Sequence, residues 1–249
     1  MSDVLTMTAR SFRLTRRQLD SLFTALALPV LLMLLFVGLF GGAIRTGTGA
    51  GYVTYVLPGV LVLCAGFGAA ITAVSVSQDM TGGIIDRFRS MDVRGPAILA
   101  GHVAASIARN IASTILVFGV ACLIGFRPHA SLPGWLAAAG LLLAFILAVS
   151  WLAAAYGLAV KTPEAANGFL FLVAFLPYAS SAFVPVDTMP GWIQGFARNQ
   201  PVTPVTQSLR GLLLGTPVGT APWAALAWLG GILAVSLVFS GVLFSRRTA

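Results

Sequence analysis

Between residues 21 and 244 the chain consists of long apolar runs separated by short polar punctuation. At about 20 apolar residues per crossing, the runs predict six transmembrane helices, over 21–42, 52–77, 103–124, 135–158, 168–184 and 222–244. The fifth is the shortest. Turn-forming clusters fall between the runs: Gly47, Thr48 and Gly49 after the first, Arg94, Gly95 and Pro96 before the third, and Arg127, Pro128 and His129 after it. Ahead of the first run, Val4, Leu5, Met7, Phe12 and Leu14 interleave with Arg10, Arg13, Arg16 and Arg17. That pattern suits a basic amphipathic helix in the membrane interface or a plain positive flank, and both readings put it on the cytoplasmic side. The expected fold is all-α, with an N-terminal arm over 1–20 and a six-span membrane domain over 21–245, so that 1–249 is one domain.

Composition agrees with the pattern. Of 249 residues 58% are hydrophobic and 9% charged, far below the roughly 25% charged content of soluble domains, and mean hydropathy is +0.94. The net charge of +8 comes from dispersed residues and not from one basic face, which argues against nucleic acid as a partner. Its use is orientation. With the N-terminus inside, the cytoplasmic segments hold ten basic residues and the outer ones four, Arg45, Arg127, Arg198 and Arg210. This matches the positive-inside rule and places both termini in the cytoplasm. The run over 21–42 exceeds the ~7–15 residues of a signal-peptide core, so it is expected to persist as the first span.

Several chemistries are missing. There is no G-x-x-x-x-G-K-[ST] motif and the single Lys, Lys161, follows Val160, so no cofactor or nucleotide site is expected in this chain. His102 and His129 are far apart, Glu164 is the only Glu, and Cys64 and Cys122 lie singly in apolar runs, so neither a metal site nor paired-carboxylate catalysis is expected. None of the seven acids falls at mid-span, which argues against an ion-driven transporter, a sodium site made of carbonyls excepted.

Three segments remain as functional candidates. In the cytoplasmic connection Gln78 to Pro96, Ile84, Phe88 and Met91 recur at i, i+4 and i+7, giving a short helix one apolar stripe for docking on another protein. A solvated, charge-balanced loop is the alternative. From Val184 to Thr220 the chain is too long for a turn and too interrupted to span. Thr188 before Pro190, with Trp192, Ile193 and Phe196 following, and Thr203 as N-cap before Pro204, predict two short re-entrant or interfacial helices. Such irregular backbone is tolerated only where protein or water shields it. In the third run, His102, Ser106, Arg109 and Ser113 share one helix face with Asn110 alongside. They suit a pathway lining or a helix seam, unless Arg109 snorkels to the interface. Tyr156, Tyr178, Ser180 and Ser181 are further candidates for a path that suits a lipophilic drug or lipid. Pro29, Pro58 and Pro177 predict kinks, and Gly38 with Gly42, and Gly66 with Gly68, predict close helix approaches.

The order of these features resembles the ABC-2 type permeases, the membrane subunits of ABC exporters such as the daunorubicin-resistance drug exporters. The motifs are Gly83-Ile84-Ile85-Asp86-Arg87-Phe88-Arg89, then Phe183-Val184-Pro185 through Met189-Pro190-Gly191-Trp192, Asn199-Gln200-Pro201-Val202-Thr203 and Ser208-Leu209-Arg210. Where the family commonly has Pro after the Arg segment, this chain has Ser90, Met91, Asp92 and Val93. The resemblance implies a non-enzymatic permease paired with a second permease copy or homologue and with cytoplasmic ATP-binding-cassette subunits that use ATP and Mg. It implies a coupling helix at Ile84, Ile85, Asp86, Arg87, Phe88, Arg89 and Met91, and an outer re-entrant segment marked by Pro185, Pro190, Trp192, Pro201, Thr203 and Arg210. The expected location is the plasma or inner membrane, among lipid. A secondary transporter or channel, and a membrane scaffold, are the other functional classes this chain suits.

Overall fold

A computed structural model describes residues 19–41, 51–82 and 95–248, and every regular element among them is helical. These are α1 (Leu19–Phe40), α2 (Tyr52–Thr81), α3 (Gly95–Leu123), α4 (Leu132–Ala159), α5 (Pro163–Ala166), α6 (Gly168–Tyr178), α7 (Gly191–Asn199), α8 (Val202–Leu214) and α9 (Ala221–Thr248), with a 3-10 turn at Val186–Thr188. The N-terminal arm up to residue 18 and the proposed coupling residues Ile84, Ile85, Asp86, Arg87, Phe88, Arg89 and Met91 lie outside the described residues.

Among the described residues four helices are long and apolar enough to cross a membrane: Tyr52–Thr81, Ala97–Leu123, Leu132–Ala159 and Ala221–Phe244. α1 contributes a shorter apolar stretch, Ala27–Leu39, within its 22 residues. α2 is the hub. It packs against α4, α3, α1, α6, α8 and α5, and is buried along most of its length. α9 lies at the periphery on α4 and α8, with Trp223, Val238 and Phe239 exposed. Exposed apolar side chains of this kind suit hydrocarbon in place of water.

The expected fifth span over 168–184 is not a continuous helix. α6 stops at Tyr178 after 11 residues, which at 1.5 Å per residue is about 16 Å, half of a ~30 Å hydrocarbon core. The Ser180 hydroxyl explains the stop, donating to Pro177 O at 2.6 Å and accepting the Ala182 N–H at 3.0 Å. Such local bonds offer the backbone an alternative to the helix ladder. Residues 179–183 then run as buried non-helical backbone. On the other side of α6, Thr162 caps α5 by accepting the Ala165 N–H at 3.2 Å, with Pro163 at the first helical position.

Small residues set the tight contacts. A Cβ at Gly59 would stand 2.6 Å from the Ala182 Cβ, so α2 and the broken segment meet nearly backbone to backbone. At Gly66 it would meet Val173 of α6 at 3.2 Å. Gly38, expected to belong to a close seam, has nothing within 4 Å of its Cβ direction among the described residues. α8 ends at Gly215, whose φ of +68° is the left-handed conformation that glycine adopts without steric cost.

The cap expected at Thr203 falls elsewhere, and Thr188 caps no helix either. α7 and α8 begin at Gly191 and Val202, with Pro190 and Pro201 before them, so Thr188 and Thr203 are not N-caps. Thr188 closes the 3-10 turn by donating to Pro185 O. Thr203 is drawn inward, where buried backbone needs its hydroxyl more than the helix end does. α2 also runs past the expected boundary at 77 to Thr81, since nothing breaks the helix before Gly82, and so carries Asp79 within it.

Candidate functional site

Two polar clusters stand out in this apolar bundle, one along the α2–α3–α4 seam and one around the break after α6.

The seam is built from matching periodicities. On α3, His102 and Arg109 are seven residues apart, and on the antiparallel α2 so are Asp79 and Thr72. Seven residues are nearly two helical turns, so both pairs face each other across the interface. His102 Nε2 lies 3.1 Å from Asp79 Oδ2. Arg109 Nη2 donates to Thr72 Oγ1 at 3.0 Å and to Gly68 O at 3.2 Å. A carbonyl at Gly68 is open to this approach because that residue has no side chain, and a Cβ there would collide with the Asn110 amide. On the adjoining face Ser106 pairs with Ser150 of α4 at 2.9 Å, and the Ser113 hydroxyl donates to Arg109 O within α3.

All of these polar groups are buried, with Arg109 9% exposed. The guanidinium therefore turns into the α2 packing surface and does not reach along the chain toward an interface. Isolated charges in a low-dielectric interior are costly, and pairing with carbonyl, hydroxyl or opposite charge is what makes them tolerable. As arranged, the cluster can hold two long helices in register and resist their sliding.

The second cluster clasps the broken segment. Ser181 donates its backbone N–H to Thr203 Oγ1 at 3.2 Å, and its hydroxyl meets Thr206 Oγ1 at 3.0 Å. The Thr203 hydroxyl in turn donates a hydrogen bond to Ala197 O in α7. Gln200 caps the open end of α6, its amide donating to Leu176 O at 3.2 Å while its oxygen accepts the Val202 N–H at 3.0 Å. Tyr52 donates to Phe183 O at 2.9 Å. Arg210 binds Tyr55 O through Nε at 3.1 Å and Nη2 at 3.0 Å, and Ser181 O at 2.9 Å. Carbonyls released by the break thus find donors from α2, α8 and the loop before it.

The remaining candidates are dispersed. Tyr156 is half-buried, its ring 5.5 Å from Phe169 and its hydroxyl 3.4 Å from Ala165 O, too far for a strong bond. Tyr178 is 44% exposed and stacks on Phe183, which stacks in turn on Phe36 of α1. Pro185 and Pro190 bracket the 3-10 turn, Pro201 precedes α8, and Trp192 is 83% exposed on α7. Ser180 and Ser181 are fully engaged inside the clasp. Among residues that sequence reasoning did not single out are Asp79, Thr72, Ser150, Thr206, Tyr52 and Tyr55, whereas Gln200 stood only within the outer motif. The seven-residue spacing shared by α2 and α3 was a usable signal for the first two.

The family model described as ABC-2 type transporter matches residues 2–214. The daunorubicin resistance ABC transporter permease protein DrrB1 of Streptomyces coeruleorubidus is 33% identical over 190 residues, 76% of this chain and 67% of that protein. The probable doxorubicin resistance ABC transporter permease protein DrrC of Mycobacterium tuberculosis is 23% identical over 248 residues, 100% of this chain and 90% of that protein.

Proposed function

This chain belongs to the ABC-2 type transporter family, and from that premise we propose that it forms half of the translocation pathway of an exporter for lipophilic drugs. The observation that carries the reading is the clasp. Gln200, Thr203 and Arg210, members of the outer motifs, are the side chains that shield the broken backbone after α6. A broken, shielded span supports a pathway function, because irregular backbone at membrane depth is otherwise selected against.

In this reading the chain crosses six times, with α1, α2, α3, α4 and α9 as full crossings and α5, α6 and the buried 179–183 backbone as the fifth. Both termini are cytoplasmic, and α7 and α8 form the re-entrant pair on the outer side. The energy comes from a separate ATP-binding-cassette subunit using ATP and Mg, seated against Ile84 to Met91. A second permease copy or homologue supplies the other half of the path. Nucleotide-driven movement of the partner is passed through the α2–α3 stems, which the Asp79–His102 and Thr72–Arg109 contacts hold together, and the two permeases rock between inward and outward access. Tyr156, Tyr178 and the α3 polar face remain candidates for pathway or seam positions.

The test is co-reconstitution with a cognate ATP-binding subunit in vesicles loaded with daunorubicin or doxorubicin. ATP-dependent movement of drug, absent with either chain alone, is the expected outcome. Movement driven by an ion gradient without the ATPase would replace this reading with a secondary transporter, and partner binding with no solute movement would replace it with a scaffold.

A further inference from the structure

An apolar cleft of about 560 Å³ opens between α3, α4 and α8, apart from both polar clusters. Ile111, Ile115 and Phe118 form one wall, Trp135, Leu142 and Ile146 the second, and Leu209 with Leu213 the floor. Thr114 is the one lining residue with a polar side chain besides the Trp135 indole, and no charged residue takes part. We propose that this cleft is a resident phospholipid site, holding one acyl chain of a lipid whose phosphate meets Arg127.

Four features select that occupant. The rim residues Ile115 and Leu143 are 67% and 44% exposed, continuous with the apolar outer surface, so the occupant enters from hydrocarbon and not from water. The cleft runs from Trp135 to Ile146 along α4, eleven residues, which at 1.5 Å each is about 16 Å and close to the depth of one leaflet. That is the length of an acyl chain lying parallel to the helices, and the lining has almost no donor or acceptor with which to orient a polar solute. Trp135, at the loop end, is a residue type enriched at headgroup level.

The fourth feature is charge. The loop joining α3 to α4 crosses this end of the cleft: Phe126 packs edge-on against Phe118 at 5.4 Å, and the His129 N–H bonds to Leu213 O at 3.0 Å. Between them Arg127 is exposed, anchored on the carbonyls of Cys122 and Phe126 through one nitrogen, Nη1. Its other guanidinium nitrogens are the donor geometry that a phosphate takes in pairs.

The site has a mechanical consequence. α8 packs on α4, α9 and α2, and the acyl chain completes its packing on the α3 side. Leu209 and Leu213 touch the occupant while Arg210, between them in sequence, holds Tyr55 and Ser181. The bound lipid is thus a wedge that fixes the re-entrant helix.

The test uses the full chain in vesicles containing phosphatidylglycerol with a photoreactive diazirine in its acyl chain, followed by peptide mapping. Crosslinks concentrated on 111–119 and 135–146 are expected. The variant Gly119→Phe/Ala139→Phe fills the cleft from both walls, and at Gly119 a Cβ meets nothing within 4 Å. It should lower that labelling about tenfold, the equivalent of losing fewer than two buried methylenes at about 0.8 kcal/mol each, whereas Val238→Phe on α9 should not. Arg127→Gln should reduce the preference for the phosphatidylglycerol probe over a neutral diacylglycerol probe. Labelling spread evenly over α1, α9 and the cleft would identify ordinary boundary lipid and overturn the proposal. Displacement of the probe by daunorubicin at this cleft would assign it to transported solute and overturn it equally.

Discussion

The Arg210 guanidinium lies over the Tyr55 ring, its carbon 3.7 Å from the ring centroid, while Nε and Nη2 both donate to the carbonyl of that same tyrosine. One residue of α8 thereby grips both the side chain and the backbone of α2, 155 positions earlier in the chain.

Replacing Arg210 with Ala should leave the Tyr55 and Ser181 carbonyls without this donor, at about 1–3 kcal/mol for each buried group. Arg210→Lys should recover little of that loss, because a single ammonium cannot stack on the ring and serve both carbonyls at once. The check is the thermal unfolding midpoint of purified protein, together with maleimide access to a cysteine at Ser181, expected to rise in both variants.

Asp79 and His102 form a pair across α2 and α3. Asp79→Leu and His102→Leu should each destabilise the protein, and the double variant should cost less than the sum of the two, because either single change already removes the shared contact. A double-mutant cycle on unfolding free energy in detergent measures the coupling, and additivity of the single effects would show that the two side chains do not act on each other.

Gly68→Ala should destabilise the seam by about 1–3 kcal/mol through overpacking against the Asn110 amide. Adding Asn110→Ala removes the obstructing atoms and should restore part of the loss. Thermal stability of the single and double variants decides the matter, and equal destabilisation in both would place the strain elsewhere.

Disrupting Phe88 and Arg89 together should leave membrane insertion intact and abolish ATP-dependent drug movement. The assay is vesicle transport with the ATP-binding subunit present, normalised to the amount of inserted permease. Full transport by the double variant would remove this segment from the coupling role.

The proposed six-crossing topology predicts which loops an impermeant reagent reaches. With Cys64 and Cys122 replaced by Ala, a cysteine at Gly195 should label from outside intact cells, and one at Lys161 only after permeabilisation. Both positions are exposed in the fold.

How much of this was legible in the sequence differs by feature. Four long helices and their approximate bounds follow from run length, because an apolar stretch that satisfies its own backbone is a local solution and depends on no partner. The polar face on α3 was equally readable, since His102, Ser106 and Arg109 share a face by helical period alone. What faces them was not. Asp79 looked like part of a solvated connection until α2 proved to continue to Thr81, and only the antiparallel packing of α2 on α3 brings it to His102. The fifth run read as a weak span because its apolar content continues past Tyr178, whereas the chain breaks there for the Ser180 bonds.

By itself, then, the sequence determined that this chain lives in a membrane and where its four long apolar helices run. Tertiary structure decided that Thr203 serves Ser181 and not a helix end, that Arg109 turns into α2, and that Gln200 and Arg210 close the break after α6. The division has one cause. Hydrophobic length and helical period are properties of neighbouring residues, but the partner of a buried polar group is whichever donor or acceptor the packing of distant helices brings within about 3 Å.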